Sequence, residues 1–411
     1  MPGTRRGAAR NTPCWPFAAI DAEVPLSEVP VESRERAPSG WRGLRRCAVA
    51  STGMDVPTFG VEEELLLVEE STGEPFMESA AVAHVAKTLG LDLDLELTPC
   101  QIETATPILD SMADLRGHLV ESRGKAGVTA REMGGQVLAA GVPPIVGDRQ
   151  PVSKTDRYQR IAQNFGIIAA EQGVCGCHVH VAVPDRARAI EVSNSLRPWL
   201  PVLVALTANS AIHRSSDSGY SSWRTMLWSR WPSAGAPPHL ASEEEYDAAI
   251  ARLLEVGAAL DAGMIYWDVR PSSNFPTIEV RVGDVPATVG ETVLYATLVR
   301  ALVMTALAEG PTAAGSAISS DDVRLAKWRA ARDGLTGECP DLLSGSMVST
   351  RTAVDRMLAY IGPALDALDE RVAVEDALNS LFRNGNGAMQ QREVFERCGA
   401  LAVVEHVAAR T

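Results

Sequence analysis

Four short segments constrain this chain more than anything else in it: GVEEELLLV (60–68), CGCHVHVAV (175–183), YWDVRP (266–271) and TIEVRV (277–282). In each, ionisable residues alternate with apolar ones. Side chains alternate across a strand, so residues two apart share a face. The spacing predicts Glu62 and Glu64 on one face of the first strand, with Glu63 on the other. His178 and His180 share a face, while Cys175 and Cys177 lie with the valines. Glu279 and Arg281 stand opposite Ile278, Val280 and Val282, and Asp268 and Arg270 share a face in the same way. A solvent-facing strand needs only Lys, Thr or Ser. Acids, histidines and arginines gathered on several strands predict a concave polar face lined by charge, and Glu103 of QIET joins it if its strand belongs to the same sheet.

Taken singly, each segment has a plainer explanation. GVEEE alone reads as a solvated strand edge, HVH as structural, and EVR as a surface ion pair. Their co-occurrence points to chemistry. Several carboxylates with at most two histidines make a hard, oxygen-rich donor set that suits Mg2+ or Mn2+ better than zinc, and the CGC spacing is not that of a CxxC zinc knuckle. Clustered carboxylates repel one another unless cations sit among them. Divalent ions that in turn hold a polyphosphate would balance that charge. Arginines on the same face suit phosphate or carboxylate, which guanidinium binds bidentately. Neither GxxxxGK[ST] nor GxGxxG occurs, so a nucleotide would not be held in a P-loop or Rossmann manner. From residue types alone the reading is a metal–phosphate enzyme on an antiparallel sheet.

The chain has 411 residues, 46% of them hydrophobic, and a formal net charge of -14. That balance argues against a nucleic-acid or anionic-membrane partner. The most apolar run, 294–308, carries Arg300 in its middle and reads as a buried amphipathic helix too short to span a bilayer. Seven scattered cysteines with no secretory h-region predict free thiols in a reducing cytosol. Residues 1–52, rich in Arg, Pro and Ser, read as a disordered extension. Residues 53–411 read as one catalytic domain whose part after about 291 is helical with short breaks. Within it, strands are predicted over 56–70, 91–98, CQIETATP, 175–183, 264–271 and 277–284. Helices are predicted over 78–90, 110–134, 157–172, 186–212 (bent at Pro198 and Pro201) and 243–260. The stretch 213–240 reads as a long loop, and as a flexible lid.

Taken together, TFGVEEELLLV, CQIETATP, RYQRIAQNFG, CGCHVHVAVPDR, SRWPSAGAPP, IYWDVRPSSNFPTIEVRVGD, KWRAARDGL and RNGNGAMQQR resemble the type 2 glutamate–cysteine ligases, also described as carboxylate–amine ligases, from about residue 55 to the C-terminus. The resemblance implies an α+β, glutamine-synthetase-like fold: a curved antiparallel sheet forming a funnel, with helices outside. It implies ATP, Mg2+ or Mn2+, a homodimer, and an amide formed on the γ-carboxylate of glutamate, with cysteine as the nominal amine. The family's metal ligands match Glu62, Glu64, Glu103, His178 and Glu279. Glu279 and Arg281 match its catalytic ExR pair, and Arg281, Arg270, Arg230 and Arg224 are implied as nucleotide or substrate contacts. His180 is left as a neighbour without a role. AAGVPPI (139–145) and VGDVP (282–286) depart from the family's usual wording, which puts the identity of the amine in doubt rather than catalysis. A guanidino-kinase-like phosphotransferase, a silent metal-binding homologue and, more distantly, a zinc hydrolase are the alternatives.

Overall fold

The computed structural model describes residues 56–147, 149–310 and 318–411; the expectation for residues 1–52 lies outside them. The strands, in chain order, are β1 (Phe59–Glu69), β2 (Asp94–Leu95), β3 (Gln101–Ala105), β4 (Gly135–Leu138), β5 (Gly176–Ala182), β6 (Ile212–His213), β7 (Ser216–Asp217), β8 (Val269–Pro271), β9 (Thr277–Asp284), β10 (Glu338–Asp341) and β11 (Ser346–Ser349). Seven of them form one sheet in the order β2-β3-β1-β5-β9-β8, with β4 also paired to β1. Every pairing in it is antiparallel. The class is α+β, as the sequence predicts.

β1 is the spine of this sheet. β3 runs along one edge at residues 62–66, and β5 along the other at 59–63 before β4 takes over at 66–69. The register sets Glu64 opposite Glu103, Glu62 opposite His178, His180 opposite Glu279, and Glu279 opposite Arg270. A one-residue slip would turn these side chains to the other face, where the core is, so burial of the apolar face fixes the polar row. Between the pairs Cys177–Gly283 and Val179–Val280 the register shifts. β9 has one residue more than β5 there, so Arg281 and Val282 together oppose His178. Such a bulge re-aims side chains locally.

The apolar face carries Phe59, Val61, Cys177, Val179, Ile278 and Val280 into a core shared with residues of helices Met112–Glu132, Arg186–Leu196, Leu200–Thr207 and Val289–Glu309. The last of these is longer than the apolar run visible in the sequence. By length and composition it could cross a membrane, yet it is mostly buried inside the protein. Arg300 within it donates to the carbonyls of Pro57 and Asp110. Helix starts are set by side-chain caps from Ser111, Thr155, Asp185, Ser242, Thr288 and Asn386, each of which satisfies a backbone donor left open by the helix.

Several expectations need correction. LDLDLELT yields only the two-residue β2, in which Asp94 and Leu95 pair with Glu103 and Ile102 of β3 before the chain turns at Thr98–Gln101. Helix 157–172 breaks at Gly166, whose φ of 54° is glycine-favoured. The bend at Pro198 is a 3-10 turn, and the following helix stops at Thr207. Only Val269–Pro271 of 264–271 is strand. A hairpin, β10–β11, interrupts the C-terminal helices. The stretch 213–240 is not an unstructured loop: it begins with the β6–β7 hairpin, forms helix Trp223–Trp228 capped by Ser222, and buries Arg224 and Trp231.

Candidate functional site

On the polar face, β1 supplies Glu62 and Glu64, β3 supplies Glu103, β5 supplies His178 and His180, and β9 supplies Glu279 and Arg281. Their side chains are buried or half-buried. His178 Nδ1 lies 3.3 Å from Glu62 Oε2 and 3.9 Å from Glu103 Oε1, and its Nε2 lies 3.7 Å from Glu64 Oε1. His180 Nε2 is 3.5 Å from the same Glu62 oxygen, while its Nδ1 faces Thr277 Oγ1 at 3.0 Å. Glu64 Oε2 accepts the backbone N–H of Gly176 at 2.5 Å. The structure thus brings together Glu62, Glu64, Glu103, His178 and Glu279, the whole set of metal ligands implied from the sequence.

Burial and neighbouring charge pull the carboxyls of the cluster in opposite directions. Burial pushes the Glu62 carboxyl up, but the pull of His180 and His178 outweighs it and holds the group well below the usual carboxylate range. Glu103 goes the other way: burial, then Glu62, Glu96 and Glu64, raise it well above its ordinary value. Burial also opposes Glu279, yet Arg270 and Arg281 overcome it and keep this carboxyl far below the usual range. Two triads, Glu62–Glu103–His178 and Glu62–His180–Glu279, each place three ligand atoms within 4.8 Å of one another. His178 Nε2 is buried with no hydrogen-bond partner. Crowded carboxylates, an unsatisfied imidazole nitrogen and two ligand triads sharing Glu62 fit divalent cations coordinated mainly by oxygen.

The arginines divide into three groups. Arg270 Nε donates to Glu279 Oε2 at 2.8 Å and Arg281 Nη1 to Glu279 Oε1 at 2.9 Å, so one carboxylate orients both. The Arg281 guanidinium lies 5.7 Å from the ring centroids of both Trp228 and Tyr266, and its Nε has no partner. Arg224 is buried against Gly176 and directed at the backbone carbonyls of Arg281 and Val282, each 3.4 Å away. It braces the bulge that carries Arg281. Arg230 binds Glu171 at 2.5 Å in a different cavity. Asp268 pairs with Lys327.

Sequence reasoning assigned no role to two members of the cluster. His180 contributes to a ligand triad on the same terms as His178, and HVH on a two-residue period already placed it on that face. Glu96 acts on Glu103 both by charge and by a side-chain hydrogen bond. It lies on LDLDLELT, whose alternation was visible but was read only as strand.

Comparison with known proteins places the chain in a family. Residues 58–407 match Glutamate-cysteine ligase family 2 (GCS2). A Mycolicibacterium smegmatis protein named "Putative glutamate–cysteine ligase 2-3" is 54% identical over 358 residues, covering 86% of this chain and 98% of that protein. A Nocardia farcinica protein of the same designation, numbered 2-1, is 53% identical over 345 residues, 83% of this chain and 90% of its own. The crystal structure of a Francisella tularensis glutamate–cysteine ligase in complex with AMP superposes with a TM-score of 0.60 at 13% identity, covering 86% of this chain and 88% of that one. A bifunctional glutathione synthetase from Pasteurella multocida gives 0.62 at 15% identity, covering 86% of this chain and 52% of its own. Those two structures show a shared fold. The family match and the relatives together define an ATP-dependent enzyme that forms carbon–nitrogen bonds by joining a carboxylate to an amine. The chain belongs to the glutamate–cysteine ligase family 2.

Proposed function

We propose that this carboxylate–amine ligase activates the γ-carboxylate of glutamate with ATP and transfers the resulting acyl group to an amine such as cysteine, with Mg2+ or Mn2+ bound on the polar face. The observation that carries the reading is the pair of ligand triads sharing Glu62 beside the Arg270–Glu279–Arg281 constellation. Glu62, Glu64, Glu103, His178 and Glu279 would hold the cations, with His180 added from the geometry. Metal bound there supplies Lewis-acid polarisation of the phosphate oxygens.

The chain's own residues supply the rest. Glu279 fixes the guanidinium of Arg281, whose unpartnered Nε is available to the transferring phosphoryl group, where negative charge accumulates. The glutamate carboxylate oxygen attacks the γ-phosphorus, the bond to the β-phosphate oxygen breaks, and ADP leaves. The amine nitrogen then attacks the acyl carbon and loses a proton. The carbon–oxygen bond to phosphate breaks, and phosphate departs with one former carboxylate oxygen. Tyr266 and Trp228, packed beside Arg281, help exclude water that would hydrolyse the acyl phosphate. A homodimer and a cytosolic setting belong to the same proposal. The five described cysteines are free thiols, four of them buried, which suits a reducing compartment.

Glutamate labelled with oxygen-18 in its γ-carboxylate tests the reaction. The ligase transfers one labelled oxygen to inorganic phosphate for each amide formed. Phosphate without label, together with a nitrogen-phosphorylated product, would identify a kinase and overturn the proposal.

A further inference from the structure

Helix Ser320–Asp333 supplies no strand to the sheet, yet it is tied to both segments that touch Arg281. Near its C-terminal end, the carbonyls of Ala331 and Arg332 accept the N–H groups of Ser222 and Ser221, at 2.8 Å and 3.2 Å. Those serines precede helix Trp223–Trp228, which brings Arg224 to the Arg281 carbonyl and Trp228 to its guanidinium. In the middle of the same helix, Lys327 Nζ binds Asp268 Oδ2. Lys327 is the one buried lysine of the chain's four, and Asp268 is buried too. An ammonium is costly to bury unless it is paired. Asp268 is its single hydrogen-bond partner among the described residues.

Asp268 links that helix to Arg281. Its carbonyl accepts the N–H of Arg281 at 2.8 Å, and its own N–H donates to the carbonyl of Gly235 at 2.8 Å. The contact with Arg281 lies one residue beyond the β8–β9 ladder, which ends at Val269 and Val280. Toward β5, Arg281 sits in the bulge, where pairing is irregular. Two residues before Asp268, the Tyr266 ring lies 5.7 Å from the Arg281 guanidinium. Arg270 Nη1 donates to the Ile265 carbonyl at 2.7 Å. The segment 265–268 therefore holds Arg281 by backbone and by ring, and Lys327 holds the segment.

We infer that Lys327 is a positioning residue for Arg281. It acts through Asp268: fixing the entry to β8 fixes the Arg281 peptide, and with it the approach of the guanidinium to Glu279 Oε1. A guanidinium displaced by about 1 Å would meet the transferring phosphoryl group poorly. This role rests on the one given to Arg281 in the proposed reaction. It also gives a function to KWRAARDGL, which supplies no side chain to the metal and arginine cluster.

The double variant Lys327→Met with Asp268→Asn tests this, because it removes the pair without stranding a buried charge. Its melting temperature should stay within about 5 °C of the parent's. Its kcat for ligation should fall about tenfold or more, while the KM values for ATP and the amine move less than about threefold. Its crystal structure, set beside the parent's, should show Arg281 Nη1 drawn away from Glu279. Lys327→Met alone, assayed well below its lower melting temperature, should show the same loss of kcat, and it serves if the double variant folds poorly. A kcat within about twofold of the parent's, or Arg281 still bound to Glu279 in the variant crystal, would overturn the role of Lys327. A loss of kcat that only follows a loss of folded protein would do so too. A parent that forms no amide would sink the proposed reaction instead, and the crystal would still decide the role of Lys327.

Discussion

Glu63 is the carboxylate of GVEEE that turns away from the site, and it is held most firmly. Arg123 grips it with two hydrogen bonds, Nη2 to Oε1 at 2.7 Å and Nε to Oε2 at 2.9 Å, and Thr292 donates a third at 2.6 Å. The pair is fully buried. It ties β1 to helices Met112–Glu132 and Val289–Glu309. Removing one partner of such a pair strands a buried charge, at a cost of about 3–5 kcal/mol. Urea unfolding of Glu63→Gln is expected to show a loss near the lower figure. The double variant Glu63→Leu with Arg123→Met is expected to lose less than the single. A single variant within about 0.5 kcal/mol of the parent would contradict the role given to this pair. His213 sets a pH dependence. Burial lowers its pKa to about 4 against an ordinary 6.5, opposed in part by the carbonyl of Pro143 and by Glu171, while Arg214 and Arg230 add to the lowering. The unfolded chain therefore binds the proton more readily, and stability falls as pH drops from about 6.5 to about 4. At about 1.4 kcal/mol per pKa unit the loss amounts to at most about 3–4 kcal/mol. His213→Gln should flatten that part of the stability–pH curve; an unchanged curve would contradict the assignment.

Among the elements, β5 has the tightest constraints. Gly176 opens the strand between Glu64, whose carboxylate takes its N–H, and the Arg224 guanidinium, which occupies the space a β-carbon would need. Gly176→Ala should displace Arg224 from the carbonyls of Arg281 and Val282, costing about 1–3 kcal/mol of stability and lowering turnover more than substrate binding. Normal stability with normal kcat would show that the glycine is not needed. The strands that carry the site were legible in the sequence because alternation is a strict period of two, and it named Glu62, Glu64, His178 and Glu279 as facing one way. What it could not show was register. The opposition of Glu64 with Glu103, the bulge that sets Arg281 against His178, and the placement of His180 beside Glu62 all depend on pairing between segments far apart in the chain. The same limit explains the arginines. The period of two set Arg281 on one face with Glu279, but the meeting of Arg270 with Glu279 depends on the β8–β9 register, and Arg224 and Arg230 lie in 213–240, where no periodicity told wall from loop. LDLDLELT misled in the other direction: its alternation is clear, yet only Asp94 and Leu95 pair with β3.

At the scale of the whole molecule, one antiparallel sheet divides the chain's chemistry: helices bury its apolar face, and its other face gathers the acids. Such a cluster is poorly balanced without cations, so divalent metal should stabilise the folded state by mass action. Mn2+ is expected to raise the melting temperature of the metal-stripped protein by several degrees, and to do so much less in Glu62→Gln, which removes the carboxylate common to both triads. An equal Mn2+ shift in parent and variant would place the metal elsewhere. The most direct test of the central claim is ATP-dependent amide formation from glutamate and a panel of amines, read by mass spectrometry in the parent and in Glu279→Gln. The parent should yield ADP, phosphate and amide in equal amounts. The variant, in which Arg281 and Arg270 lose the carboxylate that orients them and one ligand triad is broken, should be slower by about a hundredfold or more. Near-parental ligation by Glu279→Gln would contradict the account.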